Sequence, residues 1–258
     1  MEQKFFFFDI DNTLAVWPEG KIPDSAQYCI DELQRRGHLV SIATGRIQVD
    51  AMRFAEQARI TNVVADGGHS ITIDGNLVSM IGMNRDMCIQ YLEYLESKHI
   101  PWAVTDRNKL GRITPYKEIL EWHPDWDVFK TVVDPEFDFH SVEDFYKIYV
   151  FFKDGEEEEK DIEHMTHKLI RYGEGCVLYE PMEKALGIRD MIGHFDMKPN
   201  QVVVFGDGYN DLSMFRPEWL NIAMGNARQE LKLEADYVTT DCDKDGIYNA
   251  CKHFGWID

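Results

Sequence analysis

Three features are scarce or missing in the sequence: paired cysteine motifs, long apolar runs and basic residues. The five cysteines are widely spaced and form no CxxC pair, so we expect reduced cysteines that pack in the core rather than disulfides or a thiolate metal site. No uncharged apolar stretch approaches the roughly 18 residues of a membrane span, and no secretory signal is recognisable. We therefore expect a cytoplasmic protein that has no membrane partner.

Basic residues number 27 against 46 acidic residues, which gives a formal net charge of −19. A surface of this sign repels the phosphate backbone of nucleic acids, so we expect no nucleic acid partner. What the sequence does contain is ample material for a core, since 44% of its 258 residues are hydrophobic. The length suits one large domain or two modest ones.

Strand and helix patterns alternate along the first 65 residues. The aromatic segment "KFFFFDI" predicts a short apolar strand, and "HLVSIAT" and "NVVAD" predict two further buried strands. Between them, "IPDSAQYCIDELQRRGH" has helical periodicity, with Asp24 as a candidate N-cap and Gly37 as a stop, and "RIQVDAMRFAEQA" predicts a second helix. This alternation predicts an α/β fold with a Rossmann-like parallel sheet.

The pattern changes in the middle of the chain. After a predicted hairpin at Asp74-Gly75, residues 82–181 carry a helix, a Trp- and Pro-rich stretch, the strand "FYKIYVFFKD", the helix "IEHMTHKLIRY" and the strand "CVLYE". We interpret these residues as an inserted α+β domain. The alternation resumes with the helix "GIRDMIGHF", the strand "QVVVF" and the helix "NDLSMF", so residues 1–81 and 182–258 are predicted to form one interrupted domain.

Polar and acidic residues follow three of the predicted parallel strands. In such sheets ligands bind at the carboxyl ends of the strands, and neighbouring strands would bring four carboxylates into one pocket. Two unit charges about 4 Å apart at an effective dielectric constant of 20 repel by roughly 4 kcal/mol, so the cluster needs a cation. All-oxygen ligands favour Mg²⁺. The residues at the three strand ends are Asp9-Ile10-Asp11-Asn12-Thr13, Thr44-Gly45-Arg46, and the run from Gly206 to Asp211 that includes Asp207 and Asn210.

Such a site has a definite chemistry available. One carboxylate beside the metal can attack a phosphoryl group and form an aspartyl phosphate, which water then cleaves. A second carboxylate two residues further along can protonate the leaving oxygen and later activate the water. Thr44 and a lysine could supply donors to the phosphoryl oxygens.

These motifs resemble those of the haloacid dehalogenase (HAD) superfamily. "FDIDNTL", "SIATGR" and "FGDGYND" resemble its first, second and fourth motifs, and Lys184 in "EKALGI", 23 residues before Asp207, resembles the third. The place of the insert and the tail "IAMGNARQELKLEADYVTTDCDKDGI" are similar to the Cof-type phosphatases with a large α/β cap, subclass IIB. The resemblance implies a Mg²⁺-dependent phosphatase that hydrolyses small phosphorylated metabolites, such as sugar phosphates, through an aspartyl phosphate. Residues 82–181 would be the cap that contacts the leaving group.

The resemblance also implies a role for each motif residue. Asp9 would be the nucleophile and Asp11 the general acid and base, while Thr44 and Lys184 would hold the phosphoryl oxygens. The implied metal ligands are Asp9, the backbone carbonyl of Asp11, Asp207 and Asp211. The implied phosphate-binding residues are Asn12, Thr44, Gly45, Arg46, Lys184 and Asn210.

Two rival functions use the same residue types. A phosphotransferase such as a phosphomutase would keep every motif and differ only in what accepts the phosphoryl group. A phosphate-accepting regulatory module also uses Asp, Thr, Lys and Mg²⁺, although its accepting aspartate does not lie on the first strand. The expected partner is a small-molecule phosphate ester that serves as substrate, and we expect a monomer or a homodimer.

Three further features compete with this interpretation or depart from it. Lys198 could replace Lys184 as the motif lysine, but it lies between a predicted helix and the start of a predicted strand, at the wrong end of the sheet. Asp66 and His69 stand where the family usually has an asparagine-glycine pair, and we expect them near the mouth of the pocket. "DCDKDG" imitates the start of a calcium loop, but its twelfth position is Lys252 where a glutamate is required.

Overall fold

The computed structural model describes residues 2–125, 128–153, 162 and 169–258. Its strands, in chain order, are β1 (Phe5–Phe8), β2 (Leu39–Ala43), β3 (Asn62–Ala65), β4 (Ser70–Ile73), β5 (Asn76–Met80), β6 (Trp102–Thr105), β7 (Gly111–Thr114), β8 (Lys130–Val133), β9 (Lys147–Phe151), β10 (Leu169–Gly173), β11 (Cys176–Tyr179), β12 (Val202–Gly206), β13 (Leu220–Ala223) and β14 (Tyr237–Val238). Its α-helices are α1 (Asp24–Arg35), α2 (Gln48–Ala58), α3 (Arg85–Ser97), α4 (Ile119–Trp122), α5 (Lys184–His194), α6 (Gln229–Leu233) and α7 (Gly246–His253).

The chain divides into two compact units. The first consists of Met1–Met80 together with Met182–Asp258, and the second of Ile81–Pro181. Helices and strands alternate around a mainly parallel sheet in the first unit, whereas the second is built on a mainly antiparallel sheet. The predicted fold class, an α/β core of the Rossmann-like type with an α+β insert, is confirmed.

The sheet of the first unit has eight strands in the order β14-β13-β12-β1-β2-β3-β4-β5. The strands from β14 to β3 are parallel, and β4 and β5 extend the sheet as an antiparallel hairpin. Strand β1 lies between β12 and β2, with Phe8 opposite Phe205 on one side and Ile42 on the other. The segments that follow these three strands therefore emerge side by side at one edge of the sheet.

Strand β1 is the centre of the core, because all four of its phenylalanines are fully buried. Their rings meet neighbours on both faces of the sheet: the ring centroid of Phe6 lies 4.8 Å from that of Trp256, and the centroid of Phe5 lies 5.3 Å from that of Phe195. A strand covered on both faces has no need for polar alternation, which explains the unbroken aromatic run.

Helix α1 buries Ala26, Cys29, Ile30 and Leu33, the apolar positions at helical spacing. The predicted N-cap is wrong by one residue, because Pro23 occupies the cap and Asp24 lies in the first turn. An acidic side chain there is still favourable, since it faces the positive end of the helix dipole. All five cysteines are buried, as expected for packing residues.

The second unit contains a six-stranded sheet in the order β10-β11-β9-β6-β7-β8. Helix α3 contributes buried side chains, among them Tyr91 and Leu92, to a cluster that includes Trp102 of β6 and Ile148 of β9. None of the helices in the described ranges is both long and apolar enough to span a bilayer.

Two predicted helices differ in the structure. Residues 169–172 of the predicted helix "IEHMTHKLIRY" form part of β10, which pairs antiparallel with β11, and most of the remaining segment lies outside the described residues. The apolar spacing there fits either element, and pairing with β11 decides it. The predicted helix "NDLSMF" is a 3₁₀ helix over Tyr209–Met214, a tighter turn that suits a short connection.

We expect Phe6→Ala to lower the free energy of unfolding of the first unit by about 3–5 kcal/mol, because it removes a fully buried ring and leaves a cavity beside Trp256. Urea denaturation measures the change. The exposed Leu77 of β5 provides the control, since Leu77→Ala should change stability by less than about 0.5 kcal/mol. Equal losses in the two variants would contradict the central place of β1.

Candidate active site

Three carboxylates meet at the edge of the sheet where β1 and β12 end. The two strands are parallel neighbours, and the backbone N–H of Asp9 donates to the carbonyl of Phe205 at 3.0 Å. One side-chain oxygen from each of Asp9, Asp207 and Asp211 lies within 4.8 Å of the others. The convergence expected from the sequence is thus present for these three residues.

A buried lysine joins two of the three carboxylates. Lys184 is the first residue of α5, and its Nζ donates to Asp9 Oδ1 at 2.7 Å and to Asp211 Oδ1 at 2.6 Å. Burial alone would lower the pKa of Lys184, but the charges of Asp211 and Asp9 and the hydrogen bonds to them raise it overall. The two carboxylates therefore favour the charged ammonium form of Lys184 inside the cluster.

One ammonium does not offset three carboxylates. Burial, together with the charge of Asp211, holds the pKa of Asp9 well above its usual value, although Lys184 acts in the opposite direction. Burial and the charge of Asp211 also raise the pKa of Asp207 to about 7. Three carboxylates that lie this close together and offer only oxygen atoms as ligands suit a hard divalent cation such as Mg²⁺.

Asp211 also holds the loop after β12 in shape. Its Oδ2 accepts hydrogen bonds from the backbone N–H groups of Asp207 and Gly208, both at 2.9 Å. Gly206 permits this approach, because a Cβ at that position would lie 2.7 Å from the Cβ of Asp211. Thr13 completes the arrangement by donating from its hydroxyl to Asp207 Oδ1 at 3.2 Å.

The structure separates Asp11 from Asp9. Both oxygens of Asp11 are bound by the guanidinium of Arg46, with Nε at 3.1 Å from Oδ2 and Nη2 at 2.6 Å from Oδ1. Arg46 Nη1 also lies 3.3 Å from Asp50 Oδ2. The two acids of the first motif therefore have different cationic partners, Lys184 for Asp9 and Arg46 for Asp11.

The other predicted phosphate-binding residues lie on loops at the same edge. Thr44 is buried just after β2, and its hydroxyl accepts a hydrogen bond from the backbone N–H of Arg46 at 3.1 Å, with Gly45 between them. Asn12 adopts a left-handed backbone conformation with φ of 60°. Asn210 lies in the 3₁₀ helix after β12, where its carbonyl accepts from the hydroxyl of Ser213.

The alternative lysine lies elsewhere. Lys198 is exposed and comes before the first residue of β12, at the end of that strand away from Asp207. Asp66 is buried and accepts hydrogen bonds from the backbone of Gln48 and the hydroxyl of Ser70, so it supports the start of α2. His69 pairs with Glu183, the residue that precedes Lys184, at 3.2 Å between Nε2 and Oε2.

Sequence reasoning missed two residues that shape the site. Thr13 binds Asp207, and its place four residues after Asp9 in a DxDxT pattern was the available signal. Asn226 donates from Nδ2 to the carbonyl of Asn12 at 2.9 Å and accepts from the backbone N–H of Cys242 at 2.7 Å, so it joins two loops. No spacing rule would have singled out Asn226.

The sequence profile of the haloacid dehalogenase-like hydrolases matches residues 6–251, almost the whole chain. The chain belongs to this family. The resemblance inferred from the four motifs is confirmed, as is the prediction of an enzyme of the HAD phosphatase class. The parallel sheet described above agrees with this family, and the acidic cluster lies at the carboxyl ends of its strands, where α/β sheets commonly bind ligands.

Two relatives match this chain over almost its whole length. The "Putative phosphatase YkrA" of Bacillus subtilis is 30% identical, and the match covers 100% of both chains. The "Putative bifunctional phosphatase/peptidyl-prolyl cis-trans isomerase" of Streptococcus pyogenes is 27% identical, and this chain spans only about half of it, 54%. Among solved structures, the "HAD Subclass IIB Sugar Phosphatase BT4131" superposes with a TM-score of 0.79 at 26% identity, covering 99% of this chain and 100% of that one.

We expect Lys184→Met to destabilise the first unit by about 3–5 kcal/mol in metal-free buffer, because it leaves Asp9 and Asp211 buried without their cation. Urea denaturation in the presence of EDTA measures the loss. Lys198→Met removes the same charge from an exposed position and should change stability by less than about 0.5 kcal/mol. Indistinguishable denaturation curves for the two variants would show that Lys184 does not compensate the cluster.

Proposed function

We propose that this HAD hydrolase is a Mg²⁺-dependent phosphatase that cleaves small phosphorylated metabolites, sugar phosphates or similar phosphomonoesters, through an aspartyl phosphate on Asp9. The observation that carries the proposal is the placement of the Lys184 ammonium between Asp9 and Asp211, with Asp207 in the same group of oxygens. This arrangement supplies a carboxylate nucleophile and positive charge for the phosphoryl oxygens in one place.

Asp9, Asp207 and Asp211, with the backbone carbonyl of Asp11, are the residues we assign to the metal. Their donor atoms are all oxygen, and three carboxylates carry more negative charge than one ammonium offsets. Burial and, after it, the charge of Asp211 raise the pKa of both Asp9 and Asp207. When bound, Mg²⁺ neutralises charge on the phosphoryl group and lets an anionic nucleophile approach an anionic substrate.

Asp9 then acts as the nucleophile. One of its carboxylate oxygens attacks phosphorus while the bond from phosphorus to the leaving oxygen breaks. Lys184 Nζ, 2.7 Å from Asp9 Oδ1, supplies positive charge next to the attacking group. Thr44, Gly45, Asn12 and Asn210 lie on the loops around this point and are proposed to donate to the phosphoryl oxygens together with Lys184. Water later cleaves the phosphate from Asp9 and regenerates the carboxylate.

Asp11 is the proposed general acid and base. It gives its proton to the leaving oxygen in the first step and takes a proton from the attacking water in the second. Its side chain is directed to Arg46 rather than to Lys184, which keeps it out of the group assigned to the metal. The pair of acids can therefore divide the work, with Asp9 attacking and Asp11 transferring protons.

We assign the catalytic core to residues 1–81 and 182–258 and the role of a specificity cap to residues 82–181. A cap that closes during turnover would exclude water and select the leaving group, as lids commonly do. The likeness to a subclass IIB sugar phosphatase supports a small sugar phosphate or similar ester as substrate. The proposed location is the cytoplasm, and the proposed state is a monomer or a homodimer.

Asp9→Asn should lower Mg²⁺-dependent hydrolysis of p-nitrophenyl phosphate by at least about 10⁴-fold, because an amide cannot form the phosphoenzyme. Asp196→Asn removes the same charge from an exposed position after α5 and should retain the activity of the parent protein. Full turnover by Asp9→Asn would overturn the assignment of the nucleophile. Assays with sugar phosphates would identify a phosphomutase instead if isomers formed faster than inorganic phosphate.

Mg²⁺ should raise the melting temperature of the parent protein, and at 100 times its Kd it should add about 2.7 kcal/mol to stability. Asp207→Asn should weaken this response, because it removes one of the three carboxylates in the cluster. The matched control is Asp243→Asn in the exposed "DCDKDG" loop, which should keep the full response. A response lost in Asp243→Asn and kept in Asp207→Asn would place the cation in that loop.

A further inference from the structure

The contacts of Arg46 differ from those of a phosphate-binding residue. Its guanidinium presents the Nε and Nη2 edge to the two oxygens of Asp11, at 3.1 and 2.6 Å, so a single flat fork holds the whole carboxylate. Two-point binding of this kind sets the orientation of the carboxylate as well as adding a charge. The side chain of Asp11 is 38% exposed and would otherwise be free to change rotamer.

Arg46 is itself held from several sides. Its Nη1 lies 3.3 Å from Asp50 Oδ2 in the first turn of α2, and its guanidinium carbon lies 5.6 Å from the ring centroid of Phe54. Its backbone N–H donates to the hydroxyl of Thr44 at 3.1 Å, and its carbonyl accepts from the N–H of Asp66 at 2.8 Å. The fork is thus fixed in place before any substrate arrives.

We infer that Arg46 is a positioning residue that acts on the reaction through Asp11, rather than a residue that binds the phosphoryl group. This inference rests on the proposed function, in which Asp11 gives its proton to the leaving oxygen as the bond from phosphorus to that oxygen breaks. Asp50 acts indirectly on Asp11, because it binds and orients Arg46.

Arg46 could either position Asp11 or bind the phosphoryl group, and the two roles predict different effects of the leaving group on the rate of hydrolysis. A basic leaving oxygen needs the proton of Asp11 in the transition state, whereas a weakly basic one departs without it. If Asp11 is misplaced, hydrolysis of alkyl phosphates should therefore slow far more than hydrolysis of p-nitrophenyl phosphate. Loss of a phosphoryl contact would slow every ester to the same extent, since all esters share the phosphoryl group.

The test compares the parent protein with Arg46→Lys, which keeps the positive charge and loses the fork, and with Arg46→Met, which also loses the charge. The measured quantity is kcat/KM with Mg²⁺ for p-nitrophenyl phosphate, phenyl phosphate and glycerol 1-phosphate. This ratio reports the steps up to phosphoryl transfer to Asp9, where the leaving group departs. Inhibition by inorganic phosphate is measured alongside.

For both variants we expect kcat/KM to fall on the order of 100-fold with glycerol 1-phosphate and less than about 3-fold with p-nitrophenyl phosphate, with phenyl phosphate between them. The inhibition constant of inorganic phosphate should stay within about 3-fold of the parent value, because the phosphoryl contacts remain. Asp50→Asn should shift the leaving-group dependence in the same direction by a smaller factor.

Arg53→Lys and Arg53→Met are the matched controls. Arg53 lies on α2, the helix that also carries Asp50. Its side chain is half exposed, and its Nη1 lies 3.7 Å from Asp50 Oδ1. Both controls should behave as the parent protein with all three esters. A comparable change in leaving-group dependence in Arg53→Met would overturn the inference.

Three results would show that Arg46 binds the phosphoryl group: an equal loss of kcat/KM with all three esters, recovery of kcat/KM in Arg46→Lys, or weaker inhibition by inorganic phosphate. Each of them would leave the proposed function standing and overturn this inference. Unchanged kinetics in both Arg46 variants would overturn it as well. A parent protein without Mg²⁺-dependent turnover of any of the three esters would instead overturn the proposed function, and this inference with it.

Discussion

Buried negative charge is the constraint around which this structure is built. Asp9 directly follows a fully buried aromatic strand and is itself buried, and Asp211 is fully buried. Solvation by water therefore offsets little of the charge of either carboxylate. Lys184 compensates both carboxylates, because its ammonium donates a short hydrogen bond to each of them, at 2.7 and 2.6 Å. A buried pair of this kind is stable only when its partners are held in good geometry, which requires β1, α5 and the loop after β12 to meet at one point.

The topology of the first unit makes that meeting possible. The central strand β1 takes one neighbour from the first part of the chain, β2, and the other from the last part, β12. The loops that carry Asp9, Thr44 and Asp207 therefore lie side by side, although residues 81–181 intervene in the chain. An insertion of that size is accommodated because the core sheet is completed by strands that precede and follow it.

The two acids of the first motif acquire different characters from different partners. Asp9 faces an ammonium and two other carboxylates in a dry environment, whereas Asp11 faces a guanidinium at a partly exposed position. In the proposed mechanism, the attacking carboxylate lies among the residues assigned to the metal, and the proton-transferring carboxyl group must reach the leaving oxygen. Lys184 binds one carboxylate and Arg46 the other, so each aspartate has its own cationic partner, as the proposed division of roles requires.

The α/β class, the strand β1, the amphipathic helix α1 and the residues of the four motifs could all be predicted from the amino-acid sequence, because burial periodicity and motif spacing are local properties of the chain. The folded arrangement was needed to show that Lys184 binds Asp9, 175 positions away, and that Arg46 binds Asp11. It was also needed to place Thr13 and Asn226 at the site. It also turned residues 169–172 into a strand, because pairing with β11 outweighed a pattern that fits a helix equally well. Contacts between distant segments depend on how the strands are ordered in the sheet, and no local pattern encodes that order.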